Sequence, residues 1–266
     1  KFVVSGGKTD YVIVIPENYA ANENLAASEL QRLFGEATKI NLQILTEGEN
    51  ALPAGKYISL GRTKLFAASN ADAKSELLGS DGFIIKTVGA DIFVCGGGNK
   101  GTLYGVYELL GHMLGYEMYA PDCYSLDKNV TELKLMNYDV TEKPDYAKRL
   151  EGYKFVRDDA TCLNNFRQSS YLNSFMFVNG REVHNSFNYL PPEKFSAEHR
   201  SWYSEGMEQL CYTAHGNKEE YEAMLEESFK VMKQVIIQSP ELDTITFTQQ
   251  DIKVWCTCDT CKASYN

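Results

Sequence analysis

Residues 81–115, "DGFIIKTVGADIFVCGGGNKGTLYGVYELLGHMLG", constrain this chain more than any other stretch. Two runs rich in β-branched and aromatic residues flank a turn at Val88–Ala90, which predicts a β-hairpin. The second run ends in three glycines and leads into a segment with Leu103, Val106, Tyr107, Leu110 and Leu114 on one helical face. A hairpin that feeds a helix with one apolar stripe buries both by laying the helix over the sheet. The glycines Gly96, Gly97, Gly98 and Gly101 read as a tight strand-to-helix turn. Lys100 is followed by Gly101, not by Ser or Thr, so the phosphate-binding G-K-[ST] step is absent.

The segments upstream agree with a layered domain. "YVIVI", Tyr11–Ile15, is a buried strand stopped by Pro16. In "ENLAASELQRLFGEAT", Leu25, Ala26, Leu30, Leu33 and Phe34 recur at helical spacing, with Gly35 as the expected terminator. "INLQIL" and "KYISLG" add two strands. Residues 1–138 therefore predict an α+β domain.

At "NYDVTEKPDYAKR" the character changes to a polar, Pro-containing stretch, as at a domain junction. From there, strand-like "AKRLEGYKF", "FMFVNG", "EQLCYT" and "TITFTQ" alternate with helix-like "LNNFRQSSYLNSF" and "KEEYEAMLEESFKVMKQVIIQ". Such alternation predicts an α/β domain over 139–266, a parallel sheet or a (β/α) barrel. That length is only about half of a typical (β/α)8 barrel of about 250 residues. The expectation is the first half of a barrel, with sequence missing beyond "CKASYN".

Charge excludes several partners. The net charge is -10 with no basic stripe, which argues against nucleic acid and anionic membranes. No apolar run approaches the ~18 residues of a membrane span. The opening "KFVVSGGKTD" carries no signal-peptide core, so any export signal is expected to have been removed or never to have existed. Seven scattered cysteines do not form a small disulfide scaffold. The aromatic share of 12% suits stacking on sugar rings as well as core packing.

Several segments resemble known families. "GGGNKGTLYGVYELLGHMLGYEMYAPD", together with "VIVIP", "AASELQRLFGEAT", "ISLGRT" and "DGFIIKT" in the same order, resembles the N-terminal domain that precedes the barrel in alpha-glucuronidases and beta-hexosaminidases. "KPDYAKR" resembles the P-x-[FY]-x-x-R opening of the barrel that follows. The resemblance implies that Arg149 holds substrate hydroxyls. "HNSFNYLPPEKFSAEHRSWYS" and "QQDIKVWCTCDTC" resemble a narrower group, the domain of unknown function 4838 family. These resemblances imply a glycoside hydrolase of carbohydrate metabolism, secreted, periplasmic or on the cell surface, with carbohydrate as partner and no cofactor.

The resemblance also ranks residues. If "TITFTQQD" is a barrel strand, Gln249, Gln250 and Asp251 stand at its C-terminal end, where barrel active sites form. Glycoside cleavage needs a carboxylic acid for the leaving oxygen and a second carboxylate as base or nucleophile. The related families carry a glutamate at the end of this strand, which makes Asp251 the acid/base candidate. His184 and Asn185, beyond "MFVNGREV", offer imidazole and amide to sugar hydroxyls. Gln250 stands with them. Trp255 and Trp202 are stacking candidates, Tyr212 at the end of another candidate strand is within reach of the same pocket, and His112 on its helix reads as structural. "CTCDTC" supplies only three thiolates, Cys256, Cys258 and Cys261, where structural zinc takes four ligands. Cys211 or His184 could supply the fourth, and otherwise these cysteines brace the fold. Two rival readings remain: a non-catalytic glycan-binding protein on the same scaffold, and a zinc-bound interaction module.

Overall fold

The computed structural model describes residues 1–48, 52–71, 77–98, 100–146, 149, 151–167, 183–241 and 244–265. The chain divides into two compact units, Lys1–Ser169 and Ser170–Asn266.

The first unit is a mixed α/β body built on a sheet. Its elements begin with β1 (Phe2–Val4), β2 (Tyr11–Ile15), α1 (Ala21–Thr38), β3 (Ile44–Thr46), β4 (Lys56–Leu60) and α2 (Lys64–Ala68). The hairpin strands β5 (Phe83–Val88) and β6 (Asp91–Gly96) follow, then α3 (Gly101–Leu114). β7 (Glu117–Ala120), β8 (Cys123–Ser125), β9 (Leu133–Lys134) and β10 (Asp139–Glu142) come next, with α4 (Lys154–Asp158) and α5 (Ala160–Asn165) after them. The main sheet has the order β10-β5-β6-β4-β2-β3. β3, β2, β4 and β6 run parallel, and β5 and β10 close one side antiparallel. β1 pairs with β9, and β7 with β8, in two small ribbons.

Side-chain alternation sorts the sheet's two faces. Phe83, Ile85, Ile92 and Val94 join the large core under α1 and α3, with Leu30, Leu33, Phe34, Leu103, Val106 and Leu110. Their neighbours Ile84, Phe93 and Cys95 point to the opposite face, against Phe66 and Leu78. This is the period of two that a strand imposes. Burial of each large side chain here contributes about 1.5–3 kcal/mol.

The glycine cluster is explained by close packing. A Cβ on Gly101 would lie 2.1 Å from the Gly82 carbonyl oxygen, and one on Gly97 2.1 Å from that of Gly79. Gly105 lies over the sheet, where a Cβ would come 2.6 Å from Val94 Cγ1. These glycines let α3 drop directly onto the hairpin that precedes it.

Three details differ from expectation. Gly35 does not end α1. The helix runs to Thr38, and Lys39, at φ 66°, closes it by donating its N–H to Gly35 O. The strand expected over Ile40–Leu45 forms only at Ile44–Thr46, because Leu42 turns into the core and its carbonyl accepts from Gln31. The polar stretch expected as a connection contributes β10, an edge strand that tolerates polar residues because one side faces solvent.

The second unit contains α6 (Ser186–Tyr189), α7 (Pro192–Phe195), the long α8 (Lys218–Gln238) and α9 (Asp259–Ser264). A single 3-10 turn occupies Arg200–Trp202, and a turn with left-handed backbone occupies Ala214–Gly216. Its core gathers Tyr189, Leu190, Trp202, Tyr203, Leu210, Met224 and Val235. The helix expected over 218–238 forms as predicted, capped by Asn217, whose Oδ1 accepts from Glu220 N at 3.2 Å.

The barrel strands are not found among the described residues. Neither Glu208–Thr213 nor Thr244–Gln249 is a strand, and of the stretch 147–155 the residues 151–153 lead into α4, to which 154 and 155 belong. The expected strand "FMFVNG" lies outside the described residues, as does most of the helix expected before it. Backbone pairing among the described residues of this unit is limited to single bridges, at Ile245 and between Tyr203 and Leu210, and to Ser186 N donating to Thr248 O at 2.8 Å; side chains hold the rest of the segment. Buried Asn185 donates its amide to Thr246 O at 3.2 Å and Thr246 Oγ1 at 2.9 Å. Its Oδ1 accepts from Thr248 N at 2.8 Å. Gln209 does the same one step on, accepting from Gln250 N at 3.0 Å and donating to Gln250 O at 2.8 Å.

Three substitutions test these contacts. Gly101→Ala lowers stability by about 1–3 kcal/mol in denaturant unfolding, although alanine is the better helix former. Gly48→Ala, where a Cβ would meet nothing within 4 Å, leaves stability unchanged or slightly raised. Asn185→Ala orphans the Thr248 N–H and costs about 1–3 kcal/mol by the same measurement.

Candidate functional site

Several of the residues singled out from sequence come together in the second unit. Tyr212, Trp255 and Gln249 line one cleft of about 220 Å³, with Gln209, Thr213 and Tyr265. Tyr212 and Trp255 are each about half exposed there, and Trp255 meets Tyr265 edge-on at 6.4 Å between ring centroids. Burial holds the Tyr212 phenol above its usual range, offset in part by a hydrogen bond with the Ser186 side chain. Ser186 Oγ also accepts from Gln250 Nε2 at 3.0 Å. Gln250 is thus fixed at both its backbone and its side chain.

His184 stands beside Gln249 and faces Asp251. Its Nδ1 lies 3.3 Å from the Gln249 carbonyl, and its Nε2 lies 3.8 Å from Asp251 Oδ2. His184 adopts φ 55°, a left-handed conformation uncommon outside glycine. The Asp251 side chain is 85% exposed. Both members of the pair reach solvent.

Other candidates sit elsewhere. Asn185, expected to hold a sugar hydroxyl, is buried and spends its amide on Thr246 and Thr248. Trp202 is also buried, stacked on His199 at 4.1 Å. Arg149 belongs to the first unit. It donates to Asp81 Oδ2 at 2.6 Å, to Tyr146 O at 2.7 Å and to Arg167 O at 2.9 Å. His112 lies on α3 with Nε2 3.2 Å from Glu108 Oε1.

A larger cleft of about 490 Å³ opens in the first unit, lined by Tyr107, Glu108, His112, Tyr116 and Arg167 among others. Three of its charged groups are paired, since Glu108 takes both His112 and Arg167. It gathers none of the sequence-selected site residues. The smaller cleft, with its aromatic walls and nearby His184–Asp251 pair, is the candidate site.

One wall of that cleft carries the cysteines. Cys211, Cys256, Cys258 and Cys261 bring their sulfurs within 4.8 Å of one another, and none is in a disulfide. The sequence leaves Cys211 or His184 as the fourth ligand, with nothing in the spacing to choose between them. The fold brings Cys211, while His184 turns to Asp251. The loop beside the cluster is pinned by Glu205, which accepts from Thr257 N at 3.0 Å. That backbone N–H holds the Glu205 carboxyl down at about 2. Gln209, Ser186 and Thr213 were not selected from sequence. Their importance depends on long-range pairing, and a lone polar residue in a single sequence carries no signal of it.

Comparisons with known proteins now bear on the first unit. Residues 8–109 match the family described as Glycosyl hydrolase family 67 N-terminus. No curated protein matches the chain. Among solved structures, it is similar to a family GH115 4-O-methyl-alpha-glucuronidase, BtGH115A, at 17% identity and TM-score 0.39, over 55% of this chain and 18% of that one. It is also similar to a Streptomyces plicatus N-acetyl-beta-hexosaminidase at 16% identity and TM-score 0.33, over 51% and 23%. A GH20 beta-N-acetylhexosaminidase from Streptomyces coelicolor A3(2) gives 16% identity and TM-score 0.32, over 52% and 23%. The chain thus spans about a fifth of the length of these proteins. Over residues 8–109 it carries a glycoside-hydrolase-like N-terminal domain.

Proposed function

We propose that this protein acts on carbohydrate as a glycoside hydrolase, with the first unit as support and a sugar subsite at the Tyr212–Trp255 cleft. The observation that carries the proposal is the family match over residues 8–109. The cleft adds chemistry of the right kind. Tyr212 and Trp255 offer aromatic faces to the C–H side of a sugar ring, and Gln249 offers an amide to its hydroxyls.

In this reading Asp251 is the acid/base, and His184 orients it from 3.8 Å. The carboxyl protonates the leaving glycosidic oxygen and then takes a proton from the incoming water or hydroxyl. A second carboxylate, about 5–10 Å away, completes the reaction as nucleophile or base. Arg149 as a hydroxyl-binding residue, the barrel setting, the kinship with the domain of unknown function 4838 family and a secreted location belong to the same proposal.

A second reading has one observation in its favour. General acids are usually tuned by burial or by a neighbouring like charge, whereas the Asp251 side chain is 85% exposed beside a histidine. That environment suits a glycan-binding protein that holds sugar without cleaving it.

Reducing-sugar release from a broad glycan panel tests the two readings. Hydrolysis that falls about 100-fold in Asp251→Asn is the expected result, the scale of a lost general acid. Hydrolysis unchanged in that variant removes Asp251 from the mechanism. Binding without release, weakened about tenfold in Trp255→Ala, moves the assignment to the glycan-binding protein.

A further inference from the structure

We propose that Cys211, Cys256, Cys258 and Cys261 bind one zinc ion as a closed, structural tetrathiolate centre that ties the Tyr212 segment to the Trp255 segment. The inference rests on the cysteine geometry and holds whether or not the cleft binds sugar.

The spacing of the sulfurs is that of a tetrahedral metal site. With Zn–S bonds of about 2.3 Å, tetrahedral ligands stand about 3.8 Å apart. Cys211 Sγ lies 3.8 Å from Cys258 Sγ and 3.7 Å from Cys261 Sγ. All four sulfurs fall within 4.8 Å of one another. A disulfide would need about 2.05 Å, and each of the four is a free cysteine. Three of the four are buried and Cys258 is half-buried, so the cluster leaves little room for water as a ligand. Four protein ligands mark a structural site, whereas a catalytic zinc keeps an open position.

Groups around the sulfurs fit thiolates. Zinc with four thiolates carries a net charge of about -2, which hydrogen-bond donors must offset. The His215 N–H donates to Cys211 Sγ at 3.2 Å, and the Cys261 N–H to Cys258 Sγ at 3.4 Å. The Thr213 hydroxyl lies 3.4 Å from Cys211 Sγ and 3.3 Å from Cys261 Sγ. Ala214, His215 and Gly216 take φ values of 44°, 53° and 83°, a left-handed turn that brings the His215 N–H onto the sulfur. Left-handed backbone at non-glycine residues costs about 1–2 kcal/mol each and persists where the surroundings over-determine it. A metal at Cys211 supplies that constraint. Soft thiolates in tetrahedral array select zinc or iron over hard cations such as magnesium and calcium.

The connectivity gives the site a role. Cys211 immediately precedes Tyr212, and Cys256 immediately follows Trp255. Binding one ion through both cysteines fixes the two aromatic walls of the cleft with respect to each other.

Elemental analysis of the protein purified without added chelator tests the assignment. The expected result is about one zinc per chain, lost in Cys211→Ser and retained in Cys123→Ser, whose exposed cysteine lies outside the cluster. If Cys211→Ser does not fold, the parent protein still decides. Titrating its thiols with a mercurial in the presence of a chromophoric chelator should release one zinc as four thiols react. Absence of metal after growth in zinc-supplemented medium overturns the proposal. So do zinc that remains in folded Cys211→Ser, and a mass showing disulfides among these four cysteines. Iron in place of zinc overturns the zinc assignment.

Discussion

Four sulfur atoms converge in the second unit, where no named strand is found among the described residues. Residues 211 and 256–261 are far apart in sequence, yet their side chains converge on one point. Around it, α9 packs against the turn at Ala214–Gly216, and a Cβ on Gly216 would come 2.6 Å from Thr260 Oγ1. Tyr212 and Trp255 leave the cluster in the same neighbourhood and line one cleft. The position of the candidate site is therefore a consequence of the cysteine cluster. A metal-bound cluster contributes folding free energy directly, because the unfolded chain has no preformed site.

The two units solve the problem of backbone hydrogen bonding differently. In the first, a six-stranded sheet satisfies the backbone by ladders, and glycines at 97, 101 and 105 let α3 approach it closely. In the second, the extended segment 246–250 is paired through side-chain amides from Asn185 and Gln209. Each amide sets an N–H donor beside a carbonyl acceptor, as a peptide group does. Buried polar groups must find partners, and these two side chains supply several of them beside the single backbone bond from Ser186 N to Thr248 O.

The first unit was legible because its signals are local. The period of two in β5 and β6 and the helical spacing in α1 and α3 need no knowledge of distant partners. The end of α1 was misplaced because Gly35 permits a stop without requiring one, and the left-handed closing residue is Lys39. In the second unit the strand-like runs at 208–213 and 244–249 carried the right residue types. Whether such a run becomes a strand depends on a neighbour, and the sequence does not name one. The site was legible in part for the same reason. Tyr212, Trp255 and the pair His184–Asp251 converge, while Asn185 and Trp202 proved to be interior. "CTCDTC" announced three ligands, and the fourth depended on a contact between distant segments.

Amide hydrogen exchange, compared before and after metal removal by a strong chelator, tests the central claim most directly. If one ion joins the two segments, the His215 and Cys261 amides, which donate to cluster sulfurs, lose protection together on chelation. The amides of β2, β4 and β6 keep theirs. Protection unchanged at both amides, or lost at only one, would contradict the account.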